Sequence, residues 1–142
     1  MKLEELQNMI EKDSEIDLTN LTNHSIEIPK LSSKYNKILY GLIDLSKRAD
    51  LKLSTIRREL YEYYRGYADN NVYKEKPLNR KPQAGEVDMY IKADPDYQKI
   101  QKIADDINLK IKLIESFLTQ LNNRSFMIKN AIEWEKFKQG GY

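Results

Sequence analysis

The chain has 142 residues, a length typical of a single domain, and it contains no cysteine, which excludes a disulfide framework and a thiolate metal site. Its formal net charge of +2 is too small to indicate nucleic-acid binding by itself. No apolar run approaches the roughly 18 residues of a membrane span, and residues 1–5 lack the apolar core of a signal peptide. These features predict a cytoplasmic protein that does not enter a membrane.

Charge is distributed unevenly along the chain. Residues 1–20 carry two basic and six acidic side chains, whereas residues 51–66 carry four basic and two acidic ones. Residues 97–142 carry eight basic and five acidic side chains. An acidic N-terminal segment therefore precedes more basic helices.

The first half of the chain predicts a short helix followed by a long one. Residues 1–27 form an N-terminal helical segment whose first apolar side chains share one face. A long basic helix is predicted over 29–67, since Pro29 suits the first turn of a helix and Gly66 suits its end. Its apolar positions follow spacings of four and three: Leu31, Tyr35, Ile38, Leu42, Leu45, Ala49, Leu53, Ile56, Leu60, Tyr63 and Tyr67. This is a heptad seam with one stutter, at Leu45–Ala49–Leu53.

Residues 68–93 are predicted to be a connection, because they contain Pro77, Pro82 and Gly85. Connections longer than about 12–15 residues usually have a function or are disordered. This one adds basic residues near the end of the long basic helix, namely Lys74, Lys76, Arg80 and Lys81.

A second long helix is predicted over 94–139, with Asp94 as N-cap and Pro95 at its first position. Gly140 and Gly141 end it. Its seam alternates spacings of four and three without interruption: Ile100, Ala104, Ile107, Ile111, Ile114, Leu118, Leu121, Ser125, Ile128, Ile132 and Glu135.

The sequence thus predicts an all-α domain over 1–142, with two long heptad-patterned helices and a short N-terminal helix. Further apolar residues beside the C-terminal seam call for a second partner, and isoleucine-rich seams favour more than two strands. A monomeric bundle with a wide buried stripe is the alternative; helix length and stripe width favour a homo-oligomer formed through the C-terminal helix. Its predicted contacts are Ile107, Ile111, Ile114, Phe117, Leu118, Leu121, Phe126, Ile128 and Ile132.

No pattern of catalytic or metal-binding residues stands out. The only histidine, His24, lies in a polar stretch, and no glycine-flanked nucleophile turn is present. Asp94 and Asp96 fit helix capping, while the adjacent Asp105 and Asp106 point to different helical faces. No glycine-rich phosphate loop is present. We therefore predict a protein that is not an enzyme and needs neither a metal nor a cofactor.

The segment from Lys52 to Tyr67 combines cations, hydroxyls and tyrosines. Single-stranded nucleic acid is bound by cations along its backbone and by aromatic rings against its bases. On spacing alone, a nucleic-acid-binding face and a solvated basic face with tyrosines in the core remain equally open. Tyr63 and Tyr67 continue the seam, which favours the core for them. Together with the basic residues of the connection, the candidate nucleic-acid-binding residues are Lys52, Ser54, Thr55, Arg57, Arg58, Tyr61, Tyr64, Arg65, Lys74, Lys76, Arg80 and Lys81.

Four stretches of the chain form a distinctive set: residues 1–7 with Lys12-Asp13 following, the Tyr63-Tyr64 pair after a basic helix, residues 92–96, and an ending that carries Arg124, Phe126, Ile128, Lys129, Phe137 and Gly140. Together they resemble the UvsY family of phage recombination mediators. The resemblance covers nearly the whole chain. It implies a protein that binds single-stranded DNA, forms ring-like homo-oligomers and is not an enzyme.

The resemblance also implies partners and a site. Members of the family help to load a RecA-like recombinase onto DNA coated by single-strand-binding protein. Their DNA-binding motif is a short basic segment just before the Tyr-Tyr pair. Arg58 takes one basic position of that motif, the next falls on Leu60, and the neighbouring Arg57 can compensate. The connection departs from the family pattern through Pro77 and Pro82.

Two other functions without nucleic-acid binding remain open from the sequence. One is a structural coiled-coil adaptor, and the other is a small phage assembly chaperone. Both predict that the protein does not bind single-stranded DNA at moderate salt.

Overall fold

The computed structural model describes residues 1–140, and within them it contains helices and turns but no strand. The helices are α1 (Leu3–Asp13), α2 (Leu21–Arg65), α3 (Asn70–Glu75), α4 (Val87–Ala93) and α5 (Pro95–Lys138). Two short 3₁₀ turns, Leu18–Asn20 and Ala84–Glu86, precede α2 and α4. The prediction of an all-α fold with two long helices and a short N-terminal helix is confirmed.

Helix α2 begins at Leu21 rather than at the predicted Pro29, which lies inside it. An interior proline removes one backbone hydrogen bond, the one that residue 29 would donate to the carbonyl of Ser25. Both Pro29 and Ser25 are exposed, so water can take the place of the missing donor. The helix therefore continues past a residue that usually marks its first turn.

Helix α2 ends two residues before the predicted Tyr67. Gly66 has a positive φ of 81°, which a residue with a side chain adopts only under strain. The amide of Tyr67 donates to the carbonyl of Glu62 at 2.8 Å, and the amide of Gly66 donates to that of Tyr63 at 3.1 Å. This pair of bonds is a Schellman motif, and it turns the chain away from the helix axis at Gly66.

The predicted connection over 68–93 is largely structured, since it contains α3 and α4. Helix α5 begins at Pro95 as predicted. Asp94 caps it, because its carboxylate accepts a hydrogen bond from the amide of Asp96 at 2.9 Å. The Asp94 side chain is also almost completely buried, which a capping role alone does not explain.

The chain forms two compact units, and both long helices contribute a segment to each of them. The first unit comprises Met1–Ile43 and the chain from Asn108 onward. Its core joins α1, α2 and α5 through Leu6, Tyr35, Leu39, Ile114, Phe117 and Leu121. The rings of Tyr35 and Phe117 meet edge to face, 4.6 Å apart. Full burial of each such side chain is worth about 1.5–3 kcal/mol.

Polar contacts hold the end of α1 in the first unit. The buried guanidinium of Arg124 donates to the carbonyls of Asp13 at 2.8 Å and Glu15 at 2.9 Å. A cation is favourable there, since the C-terminus of a helix carries partial negative charge. The Asp13 carboxylate accepts hydrogen bonds from Lys34 and from the hydroxyl of Tyr35, each at 2.7 Å.

The second unit is Asp44–Ile107. Leu60 of α2 packs there with Val87 and Ile91 of α4. Ile56, Tyr64 and Tyr97 surround this cluster and are partly buried. The segment of α2 that carries most of the predicted nucleic-acid-binding residues belongs to this unit.

Candidate nucleic-acid interface

The outer face of α2 in the second unit carries a row of cations. Ile56, Leu60 and Tyr63 face the interior, so residues half a turn away face solvent. We call these residues the outward row. They follow spacings of four and three along the helix: Lys47, Leu51, Ser54, Arg58, Tyr61 and Arg65. All of them are exposed except Arg65, which is half-buried.

The outward row contains two residues that the sequence analysis missed, Lys47 and Leu51. Leu51 is 70% exposed, an unusual position for a leucine in the middle of a long helix. The signal that reveals both residues is the same heptad spacing that defines the seam, read on the opposite face of the helix. Lys47 extends the line of positive charge by roughly three turns beyond Arg58.

Three other candidates of this segment lie beside the outward row. Lys52 is exposed. Thr55 donates its hydroxyl hydrogen bond to the carbonyl of Leu51 at 3.1 Å, within the helix. Arg57 forms an ion pair with Asp88 of α4, with 2.7 Å between the nitrogen and the carboxylate oxygen. Asp88 also lies 3.5 Å from the ammonium of Lys92, so two cations share one carboxylate.

The Tyr63-Tyr64 pair is tied into the second unit by its hydroxyl groups. Tyr63 is 6% exposed and donates to the carbonyl of Lys76 at 3.0 Å. Tyr64 donates to the carboxylate of Asp94 at 2.7 Å. Burial, and then this carboxylate, raise the pKa of Tyr64 well above its usual range. Tyr63 and Tyr64 therefore fix α2 to Lys76 and Asp94, which precede α5. The burial of Tyr63 agrees with the prediction that it lies in the core.

Two more tyrosines extend this anchor. The ring of Tyr73 stacks on that of Tyr63 at 5.4 Å, and its hydroxyl donates to the carbonyl of Tyr63 at 2.7 Å. The ring of Tyr90 lies 5.6 Å from that of Tyr64. Aromatic pairs at these distances stabilise a core by about 0.5–1.5 kcal/mol beyond their buried area.

The basic residues of the connection have different surroundings. The ammonium of Lys76 lies 3.6 Å from the Asp94 carboxylate and 5.3 Å from the centre of the Tyr63 ring, so it belongs to the tyrosine anchor. Lys74, Arg80 and Lys81 are exposed. A side chain at Gly66 would come within 3.5 Å of Lys81, which places Lys81 beside the end of α2.

Arg65 and Tyr67 form a pair at that helix end. The guanidinium of Arg65 donates to the Tyr67 hydroxyl at 3.3 Å and lies 5.6 Å from the centre of its ring. The hydrogen bond to Tyr67, with a smaller effect of Tyr61, raises the pKa of Arg65. Tyr67 is 64% exposed, so the expectation that it continues the buried seam is wrong. The Schellman motif at Gly66 explains the difference.

Most residues predicted to form oligomer contacts pack within their own chain. The buried ones are Ile107, Ile114, Phe117, Leu121 and Ile128. Ile111 and Leu118 are half-buried against the core of the first unit, and Ile132 is half-buried as well. Phe126 is 68% exposed. Other large apolar side chains along the last part of α5 are also exposed, namely Met127, Trp134 and Phe137.

Residues 1–140 hold no cluster of three or more histidine, cysteine, aspartate or glutamate side chains with the geometry of a metal site. Among the same residues, no helix is both long and apolar enough to cross a membrane. His24 is engaged locally, because its Nε2 accepts a hydrogen bond from the amide of Asp17 at 2.8 Å.

Comparison with known proteins gives one family and one fold. The chain matches the family model described as "Recombination, repair and ssDNA binding protein UvsY" over residues 9–141. No curated protein sequence matches it.

Three crystal structures of the recombination mediator protein UvsY of bacteriophage T4 share the fold. The lattice type II structure has a TM-score of 0.89 at 22% identity and covers 98% of both chains. The type IV structure has a TM-score of 0.84 at 22% identity, covering 97% of this chain and 99% of that chain. The type I structure has a TM-score of 0.86 at 20% identity, covering 94% and 98%. Since the family model spans almost the whole chain, this protein belongs to the UvsY family of recombination and repair proteins.

Proposed function

We propose that the chain is a recombination mediator that binds single-stranded DNA through the outward row of α2. In this role it promotes loading of a RecA-like recombinase onto DNA coated with single-strand-binding protein. Its family gives it a part in recombination and repair. The observation that carries DNA binding is the outward row, in which cations, a hydroxyl and a tyrosine share one exposed face of a rigid helix.

The outward row suits an extended polyanion. Lys47, Arg58 and Arg65 are separated by 11 and seven residues, which at 1.5 Å per residue is roughly 17 and 11 Å along the helix. A strand lying along α2 can therefore meet all three cations in turn. Phosphate contacts of this kind release counterions, so the affinity falls as salt rises.

We further propose that the protein acts as a ring-like homo-oligomer. The exposed apolar residues at the end of α5, Phe126, Met127, Trp134 and Phe137, are the surface that supports this. Large exposed apolar patches usually mark sites of protein association. An oligomer multiplies a weak DNA site by the number of its copies, because a strand that is held at one site remains close to the next.

In this mechanism, recombinase loading requires DNA binding and no making or breaking of covalent bonds. We therefore propose that the chain is not an enzyme. A strand that contacts several copies is bent or wrapped across them. The wrapped strand separates from single-strand-binding protein and becomes available to the recombinase.

The test of DNA binding is the variant Lys47→Ala with Arg58→Ala, measured by fluorescence anisotropy with oligo-dT at several salt concentrations. Removal of each phosphate-binding cation should reduce the slope of log K against log salt by about 0.7. Lys102→Ala is the matched control, since Lys102 is exposed in the same unit but lies on α5. An affinity that does not change over a several-fold rise in salt would exclude phosphate binding. No binding by the unaltered protein would favour a coiled-coil adaptor or an assembly chaperone.

The test of assembly is Phe126→Ser with Trp134→Ser, measured by light scattering. We expect a smaller particle with unchanged helix content, since both side chains are exposed in the single chain. Leu109→Ser is the control, because Leu109 is 55% exposed on the same helix. A particle of unchanged mass would refute this assignment.

Recombinase loading is tested by strand exchange on DNA coated with single-strand-binding protein. The variant Lys47→Ala with Arg58→Ala should not stimulate this reaction.

A further inference from the structure

The turn at the end of α2 places a second aromatic ring beside the outward row. Tyr67 follows Gly66, where the Schellman motif ends the helix, and its ring is 64% exposed. Tyr61, the tyrosine of the outward row, is 47% exposed. Tyrosine buries a large apolar ring when it can, so two rings exposed at one helix end are available to a ligand.

Arg65 connects the two rings. Its guanidinium donates to the Tyr67 hydroxyl at 3.3 Å and packs against the Tyr67 ring, and Tyr61 lies four residues before it on the same face of α2. Its Nε is buried and has no hydrogen-bond acceptor among the described residues. Buried donors without a partner in the protein are rare. The three side chains form a unit that we call the aromatic platform: Tyr61, Arg65 and Tyr67.

The other tyrosines nearby are committed to the fold. The hydroxyls of Tyr63, Tyr64 and Tyr73 all donate to groups of the protein, and Tyr63 is almost fully buried. A base could stack on their rings only if the anchor of α2 opened. The aromatic platform can receive a base without any such change.

The charges around Tyr67 decide which part of a strand lies on it. An open cavity of about 360 Å³ adjoins its ring. Among the charged residues that line it, four are acidic (Glu59, Glu62, Asp69 and Asp96) and one is a cation (Lys76), so the lining is predominantly negative. Carboxylates repel phosphates, which should therefore remain on the side of Arg58 and Arg65. An uncharged base suffers no such repulsion.

We propose that the aromatic platform is a base-stacking site that holds a nucleobase of single-stranded DNA. This inference rests on the proposed DNA binding and adds to it a second kind of contact. The cations of the outward row hold phosphates, whereas the aromatic platform holds a base. Stacking of this kind tolerates any sequence, because every base offers a flat face.

The experiment compares oligo-dT with a strand of the same length made of abasic residues, which keeps the phosphates and removes the bases. The unaltered protein should bind oligo-dT about tenfold more tightly than the abasic strand, as expected for stacking of one base. The variant Tyr61→Ala with Tyr67→Ala should lose this preference and bind both strands alike. Tyr61→Phe with Tyr67→Phe should keep most of the preference, because the rings remain.

Arg58→Ala is the matched control, since it should weaken binding to both strands by the same factor. The proposal is overturned if the unaltered protein does not distinguish the strands, or if the alanine variant weakens both equally. With either result, binding to both strands that weakens as salt rises would still support the proposed phosphate contacts of the outward row. Absence of binding to either strand at low salt would instead defeat the proposed DNA binding itself.

Discussion

The two units of the molecule hold the same two long helices by different means. In the first unit, large apolar side chains from α1, α2 and α5 form the core, and polar contacts are grouped at the end of α1. In the second unit, a small apolar cluster is accompanied by tyrosine hydroxyls that reach carbonyls and a buried carboxylate. Apolar burial is strong but tolerant of direction, whereas hydrogen bonds fix positions. The difference suggests that the second unit is built to hold the end of α2 in a defined place.

The largest loss of stability is expected from a substitution at the centre of the first unit. Ile114 is completely buried, so Ile114→Ala removes apolar packing and leaves a cavity. We expect the free energy of unfolding to fall by about 3 kcal/mol, within the range for large-to-small changes in a core. Urea unfolding followed by circular dichroism measures it. Leu109→Ala, an equivalent truncation at an exposed site, should cost far less. Equal losses of stability in Ile114→Ala and Leu109→Ala would mean that the predicted heptad seam does not form the core.

In the second unit, the corresponding change is at the buried carboxylate. Asp94→Ala leaves the Tyr64 hydroxyl and the amide of Asp96 without their acceptor, and it removes the ion pair with Lys76. We expect a loss of about 2 kcal/mol in the free energy of unfolding. Tyr64→Phe removes only the hydrogen bond from the hydroxyl and should cost about 1 kcal/mol.

The double variant, Tyr64→Phe with Asp94→Ala, sharpens this second prediction. If the two groups act through their shared hydrogen bond, the double variant should be only slightly less stable than Asp94→Ala alone. Full additivity in the urea midpoint would show that the tyrosine anchor is not a connected network.

A pH-dependent contribution is expected at the end of α1. Burial alone would raise the pKa of Asp13, but hydrogen bonds from Lys34 and Tyr35 outweigh this effect and lower it. A carboxylate with a lowered pKa in the folded state stabilises the fold above the unfolded pKa, near 3.9, and loses this effect as pH falls through the folded pKa. Asp13→Asn should therefore cost about 1 kcal/mol at neutral pH.

Thermal unfolding at several pH values measures this contribution. The unaltered protein and Asp13→Asn should converge as the pH falls through the lowered pKa of Asp13 in the folded state. Glu11→Gln, at an exposed position of the same helix, should show no such convergence, because this variant should differ little in stability from the unaltered protein at any pH. A constant gap between the unaltered protein and Asp13→Asn at all pH values would contradict the assignment.

The sequence predicted those parts of the fold that depend on periodicity. Tyr35, Leu60 and Ile114 lie on the predicted seams and are buried, because a heptad pattern identifies the apolar face whatever the partner is. The start at Pro95 followed from local capping chemistry. The start of α2 was missed because an exposed proline can be accommodated inside a helix when water replaces its missing donor.

The candidate site was harder to predict, since its contacts join distant residues. The bond from Tyr64 to Asp94 spans 30 positions, and that from Arg57 to Asp88 spans 31. No local pattern encodes such pairs. Tyr67 kept the spacing of the seam, but the glycine before it changed the direction of the chain. The sequence showed which residue types were present, and only the fold showed which of them were already engaged.

The ion pair between Arg57 and Asp88 supplies the smallest expected effect. Asp88 holds Arg57 at 2.7 Å and lies near Lys92, so it neutralises positive charge beside the outward row. Asp88→Asn should release Arg57 toward a phosphate and remove one repelling charge. Because the pair is exposed and already screened by water and salt, we expect the affinity for oligo-dT to rise only about twofold at low salt and to be unchanged at high salt. Asp105→Asn, the same substitution on α5, should have no effect. A fall in affinity would mean that Asp88 positions Arg57 for DNA instead of competing with DNA for it.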